Sequence, residues 1–214
     1  GDGKTGFRAA IVPNTGDDDP ASRFDAHREM LEDELSLQGA RSEDQTYVRY
    51  EWTRDGATMI IDLYDPTKGA STHSETFRAA LSSYQLIHYN GHSVYGTKDL
   101  LTQPEAYSSA YQIVSMHSCR SYPYYVRQVF RAKATANDPE GFAAADVVAA
   151  GESTYPYASP ITLEKLLRGL MNGIVAVRSD DAASAPDWVT ITGEMNTAVP
   201  GFQYGVAGVA SNTW

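Results

Sequence analysis

One cysteine and one histidine occupy positions in this sequence from which they could do chemistry together. Cys119 comes shortly after the apolar stretch 111–116, and His92 comes shortly after the stretch 84–89. Both stretches have the aromatic and β-branched composition of strands. A cysteine attacks a carbonyl carbon as its thiolate, and a nearby imidazole favours the thiolate and protonates a leaving amine. The pair therefore predicts nucleophilic catalysis if the two strand ends meet.

The elements around this pair predict an α/β fold. Strand-like stretches alternate with helical ones, which indicates a three-layer sandwich with a mainly parallel central sheet. Ligands of such sheets bind beyond the carboxyl ends of the strands, where both residues would lie. The predicted strands are 7–13, 47–52, 59–64, 84–89, 111–116, 147–150, 174–177 and 188–192. The predicted helices are one that begins at the N-cap Ser22 and stops at Gly39, then 76–83, 124–132 and 161–170.

The 214 residues are expected to form a single domain, with residues 1–6 as a flexible leader and 200–214 as an unassigned tail. The net charge of −10 argues against unassisted binding to nucleic acid or to an anionic membrane. No apolar run approaches the ~18 residues of a membrane span. The chain starts without Met or a signal-peptide pattern, so we expect a mature, processed or excised form that is soluble. Its single cysteine excludes an intrachain disulfide and does not indicate a compartment.

An oxyanion hole is also predicted from these residues. The backbone N–H groups of Ser93 and Cys119 could stabilise the charge that develops on a carbonyl oxygen under attack. Gly91, just before His92, permits a sharp turn and a close approach of a substrate backbone.

Short motifs around the pair resemble those of a known family. Residues 89–93 (YNGHS) are similar to the strand-end histidine block of the caspase-like cysteine peptidases, which include caspases, metacaspases, separases and gingipains. Residues 113–121 (IVSMHSCRS) are similar to the cysteine block of that family, and 151–159 (GESTYPYAS) to the segment that lines its substrate cleft. The family usually has glycine where this chain has Ser93. The outline of the resemblance covers residues 7–180, with specific motifs only at the first two blocks.

The resemblance implies a caspase-like fold and a cysteine endopeptidase acting on a protein or peptide substrate. Glu152, Ser153 and Tyr155 would then lie in the cleft wall, and the loop 135–141 would be a candidate site for activation cleavage. No organic cofactor is implied. Calcium activates some similar enzymes, and the acidic stretch 17–19 could bind it.

The preference of the cleft for a charged substrate residue is left open by the sequence. Asp19 and Asp65 could line a pocket for lysine or arginine, as could their acidic neighbours Asp17, Asp18 and Asp62. His117 could instead bind an acidic side chain, together with Arg23 or Arg120. The acidity of the whole chain slightly favours a basic substrate residue.

Three other interpretations compete with the peptidase. A non-catalytic binding module could keep the same fold. A zinc site could use His88, His92, His117 and Cys119, although the i,i+4 spacing of the first two suits a helix better than a strand. A serine hydrolase could use Ser93, but none of the five histidines lies beyond His117 to serve as its base in the usual chain order.

Overall fold

A mixed, mostly parallel sheet forms the centre of the computed structural model, which describes residues 6–14, 19–68, 73–96 and 98–208. Within these residues it has eight strands, in the spatial order β2-β3-β4-β1-β5-β6-β7-β8. β1, β4, β5, β6 and β7 are parallel, whereas β3 and β8 run against their neighbours. The strands are β1 Phe7–Pro13, β2 Gly39–Arg41, β3 Tyr47–Arg54, β4 Ala57–Tyr64, β5 Leu86–Asn90, β6 Gln112–His117, β7 Ala145–Ala150 and β8 Tyr204–Ala207.

Helices cover both faces of this sheet, consistent with the three layers that the sequence predicts. They are α1 Pro20–Glu29, which continues into a π-helical turn at Met30–Glu34, α2 His73–Ser83, α3 Ser121–Lys133, α4 Ala158–Arg178 and α5 Trp188–Ala198. α1, α4 and α5 pack on one face, and α2 and α3 on the other. Alternate residues of β1 enter the two cores, as the pleat of a strand requires. No helix in the described ranges is both long and apolar enough to span a membrane.

The amino-terminal half follows the sequence expectations except after its first helix, which ends at Glu34 rather than at Gly39, where the unpredicted strand β2 begins. β1 has the predicted bounds, and Asp55 and Gly56 join β3 to β4 with φ values of 51° and 76°, as a tight hairpin needs. The cap of α1 is Asp19 rather than Ser22. Its Oδ1 accepts a hydrogen bond from the Ser22 N–H at 3.0 Å, and Pro20 supplies the fixed φ of a first helical residue.

Two predicted strands in the carboxyl-terminal half are wrong. Residues 174–177 belong to α4, which passes through Gly173, and residues 188–192 open α5. A Cβ at Gly173 would meet nothing within 4 Å, so no close contact requires glycine there. Its low helix propensity costs only ~1 kcal/mol relative to alanine, which the helix tolerates. The apolar face of α4 continues past it, because Ile174 packs against the same core as Met171.

The carboxyl-terminal tail also differs from the expectation, because it contributes the edge strand β8. Gly169 explains how α5 packs against α4 just before this tail. A side chain at Gly169 would stand 2.6 Å from the Cγ1 atom of Ile191. Residues 1–5, most of the predicted leader, lie outside the described residues.

Candidate functional site

His92 and Cys119 follow neighbouring parallel strands at equivalent positions. β5 and β6 pair in register up to Asn90 and His117, and the Gly91 N–H extends the ladder by donating to the His117 carbonyl at 3.2 Å. His92 and Cys119 each come two residues after the last registered pair. Both therefore lie at the same edge of the sheet, His92 exposed and Cys119 partly buried. The neighbouring strands that the sequence prediction requires are present.

A sharp turn carries the chain from β6 through Cys119 into α3. Arg120 adopts a left-handed conformation with φ 50°, and the helix begins at Ser121. The buried Ser121 hydroxyl donates to the Met116 carbonyl at 2.6 Å and accepts from the Ala150 N–H at 2.9 Å, which ties the ends of β6 and β7 together. Cys119 thus lies at the amino-terminal end of a 13-residue helix, where the helix dipole favours negative charge.

The loop that carries His92 is anchored on both sides. A Cβ at Gly91 would collide with the Tyr89 hydroxyl and the Asn14 side chain, so only glycine fits there. The Tyr89 hydroxyl donates to the His92 carbonyl at 2.8 Å. Further along, Gln128 of α3 donates to the Gly96 carbonyl at 3.0 Å. α3 therefore holds the His92 loop and also follows directly on the Cys119 turn.

The two predicted oxyanion donors are the backbone N–H groups of Ser93 and Cys119. Among the residues that the structure describes, no acceptor takes a hydrogen bond from the backbone N–H of Ser93 or of Cys119. One N–H group belongs to the residue after His92 and the other to Cys119 itself, which are the positions that the predicted oxyanion hole uses.

The predicted cleft segment packs against the cysteine turn through backbone contacts. The Arg120 N–H donates to the Glu152 carbonyl at 2.9 Å, and the Cys119 Sγ lies 3.6 Å from the Thr154 carbonyl. The side chains of Glu152, Ser153 and Tyr155 are exposed. The structure thus places the backbone of this segment against the turn of Cys119 and Arg120, with the side chains of these three predicted residues exposed.

His117 lies inside the protein and does not present a charge to the cleft. Its ring is 2% exposed, and Nε2 donates to the Tyr155 carbonyl at 3.0 Å. Nδ1 therefore accepts from the Tyr204 hydroxyl, at 2.5 Å. Burial lowers the pKa of His117 to about 3, so the ring is neutral at pH 7. The prediction that His117 binds an acidic substrate residue is not supported by this placement, and the ring instead fastens the cleft segment to β6 and β8.

The acids proposed for a basic substrate residue are occupied elsewhere. Asp65 accepts from Arg41 at 2.7 Å and from the Thr67 hydroxyl at 2.6 Å. Burial alone would raise the pKa of the Asp65 carboxyl, but these hydrogen bonds outweigh it and hold the pKa below its ordinary value. Asp62 forms a bidentate pair with Arg49, and the exposed Asp19 caps α1. Asp17 and Asp18, the rest of the proposed calcium stretch, lie outside the described residues.

The structure also contains a buried chain of hydrogen bonds, which the sequence did not predict. The Ser115 hydroxyl is 2.9 Å from His88 Nδ1, His88 Nε2 is 2.9 Å from the Ser159 hydroxyl, and that hydroxyl is 3.0 Å from His27 Nε2. His27 Nδ1 lies 2.7 Å from the Arg23 carbonyl. A carbonyl only accepts, so each donor in the chain points toward Arg23, and each ring carries one proton.

Burial makes both rings of this chain resist protonation. It lowers the pKa of His27 to about 4 and that of His88 well below its ordinary value. The four side chains come from α1, β5, β6 and α4, and no local sequence signal connects them. The chain of hydrogen bonds ends at Arg23. The guanidinium of Arg23 donates to the side chain of Asn90 at 3.1 Å, two residues before His92.

The proposed zinc ligands do not form a cluster. Both ring nitrogens of His88 contact serine hydroxyls, and both of His117 are also engaged. In the described part of the chain, no three histidine, cysteine, aspartate or glutamate side chains are grouped so that they could hold a metal ion.

A cavity of about 320 Å³ opens beyond β1 and β4, at the same edge of the sheet but to one side of His92 and Cys119. Its lining carries charges of both signs, and neither His92 nor Cys119 takes part in it. The charged or titratable lining residues are Asp44, Tyr64, Asp65, Lys68, His73 and Glu75.

Comparison with models of known protein families, and with curated proteins, finds no match to this chain. The argument about function therefore depends on the residues and geometry of the site.

Proposed function

We propose that this protein is a cysteine endopeptidase of the caspase-like type, with Cys119 as nucleophile and His92 as its acid–base partner. The observation that carries the proposal is the equivalent placement of the two residues beyond β5 and β6. A thiol at the start of a helix and an exposed imidazole on the adjacent strand end are the two groups that acyl transfer needs.

The proposed reaction has two steps. In the first, the Cys119 thiolate forms a bond to the scissile carbonyl carbon while the C–N bond breaks, and the His92 imidazolium gives its proton to the departing amine. In the second, His92 takes a proton from water and the hydroxide attacks the thioester carbon, after which the C–S bond breaks, the carboxylic acid leaves, and the thiolate and imidazolium of the starting state are restored. The N–H groups of Ser93 and Cys119 stabilise the oxyanion in both steps. The reaction requires no organic cofactor.

The segment 151–157 serves as one wall of the cleft in this proposal. Its backbone is held to the cysteine turn at Glu152 and Thr154, while its side chains face solvent. An extended peptide laid along it would have its scissile bond beside Cys119. The charged-residue preference that we expected from the sequence has no support from Asp65 or His117, whose polar atoms are already bonded inside the protein.

Substitution of the two residues tests the proposal. Cleavage of a mixed peptide pool, followed by mass spectrometry, should disappear in Cys119→Ala and fall by about 10²–10⁴-fold in His92→Ala. Val189→Ala serves as the control, because it is also a small truncation and lies at an exposed position of α5; it should keep full activity. Cleavage by folded Cys119→Ala, or a loss below tenfold in His92→Ala, would contradict the assigned roles.

Alkylation by iodoacetamide separates the peptidase from a binding module with the same fold. An activated thiolate should react with one equivalent of reagent in the native protein, and more slowly when His92 is replaced by alanine. A thiol that reacts only after denaturation, together with no cleavage of any peptide, would favour the binding module.

A further inference from the structure

Two tyrosines next to the candidate nucleophile remain exposed although they pack against each other. Tyr155 is 59% exposed and Tyr157 is 61% exposed. Their rings stack with centroids 5.9 Å apart and planes 11° from parallel. Large aromatic side chains usually bury more of their surface than this, and exposed apolar surface beside a site commonly binds something.

A buried phenylalanine ring packs against both tyrosines from the inside of the protein. Phe202, which is only 8% exposed, meets the Tyr155 ring edge-on at 5.9 Å and the Tyr157 ring edge-on at 6.5 Å. The neutral His117 ring holds the Tyr155 carbonyl at 3.0 Å. The platform formed by Tyr155 and Tyr157 is therefore ordered before any ligand arrives, which lowers the entropic cost of binding.

The platform begins one residue after a backbone carbonyl that contacts the candidate nucleophile. The Thr154 carbonyl is 3.6 Å from the Cys119 Sγ, and Tyr155 is the next residue along the chain. A substrate side chain that packs on the platform would therefore belong to a residue close to the scissile bond.

We propose that Tyr155 and Tyr157 form a specificity subsite for an aromatic or large aliphatic side chain of the substrate. The proposal rests on the peptidase function and names a substrate class for it. Aromatic faces and edges are what the platform offers, and such surfaces bind other rings in stacked or edge-to-face contact. A buried side chain of Phe, Tyr or Leu would gain from covering the exposed rings, whereas Ala or Ser would cover little.

The test uses the full chain and peptides that differ at one position. Each position within three residues of the scissile bond is varied among Phe, Leu, Ala, Arg and Asp, and kcat/KM is measured for each peptide. One position should prefer Phe and Leu over Ala by ~10-fold or more. Tyr155→Ala and Tyr157→Ala should reduce that preference to below threefold, and Tyr157→Phe should retain it.

Phe142→Ala serves as the matched control. This aromatic residue is 36% exposed, packs edge-on against Phe130, and precedes β7 at the opposite end of the sheet. It should leave the preference as in the unaltered protein. Because His117 holds the carbonyl and not the ring of Tyr155, the alanine variant should also fold, which its melting temperature would verify.

The outcomes separate this inference from the proposed function. If no peptide is cleaved in a Cys119-dependent manner, the peptidase function itself fails. If cleavage occurs but every position tolerates Ala equally, prefers Arg or Asp alone, or keeps its Phe preference in both alanine variants, the subsite is wrong and the peptidase stands.

Discussion

Mild acid should destabilise this protein through the buried histidines under the candidate site. His27 and His117 are at most 2% exposed, and each ring already donates its one proton to a backbone carbonyl. A second proton on either ring would take away the acceptor of the hydroxyl that now donates to the other nitrogen. In mild acid the native state should therefore bind fewer protons than the unfolded chain.

The size of the effect follows from the pKa values. The native pKa is about 4 for His27 and about 3 for His117, against ~6.5 in an unfolded chain. As the pH falls from 7 to 5, the excess of protons bound by the unfolded state over the native state grows from ~0.2 to nearly one at each position. The free energy of unfolding therefore rises with pH in this window, and acidification lowers it by ~2 kcal/mol per histidine. Two histidines remove ~4 kcal/mol of the roughly 5–15 kcal/mol that holds a typical domain together.

The window from pH 6.5 to 5 isolates histidines from carboxylates. Asp65 and Glu164 have lowered native pKa values, so their stabilising contribution is lost only when the pH falls through ~4 and below. His73, on the opposite face of the sheet, has its pKa lowered to about 4 by burial and by Lys98, and it adds to the same slope. Single substitutions are needed to assign the slope to individual rings.

Urea unfolding followed by tryptophan fluorescence at several pH values would measure this dependence. His27→Gln and His117→Gln should each lower the slope by up to ~1.4 kcal/mol per pH unit. Val148→Ala, in the same core, should lose a similar amount of stability at every pH and keep the slope. A free energy of unfolding that is equal at pH 7 and pH 5, or slopes unaffected by both glutamine variants, would refute the reasoning.

Two further predictions concern how the site is held. Gly91→Ala should lower both stability and peptide cleavage, because its Cβ has no room beside Tyr89 and Asn14; unchanged activity at an unchanged melting temperature would contradict this. Ser121→Ala removes the hydroxyl that links β6 to β7 and leaves the Ala150 N–H buried without its acceptor, which should cost ~1–3 kcal/mol of unfolding free energy in urea melts. Ser83→Ala, on the surface at the end of α2, is its control, and an equal loss in both variants would contradict a special role for Ser121.

Local composition was enough to predict β5 and β6, the strands that precede His92 and Cys119. The stretches before His92 and Cys119 are strongly apolar and β-rich, and the glycine and polar residues after them mark where the strands end. A parallel sheet also places strand ends at a shared edge, so the position of both residues at one edge could be inferred once the strands were predicted. The carboxyl-terminal elements were harder, because a short β-branched run such as 174–177 suits a strand and a buried helix equally well.

The partners of the polar side chains were decided only by the tertiary structure. The sequence offers Asp65 and His117 as candidate substrate contacts, but Arg41 and Thr67 take up the first, and Tyr155 and Tyr204 the second. These partners lie 2 to 87 residues away along the chain. A residue's type fixes which hydrogen bonds it can make, whereas the packing of distant elements fixes which of them it does make. Local sequence therefore predicted where polar and reactive groups would lie, and the fold determined which partners those groups bind.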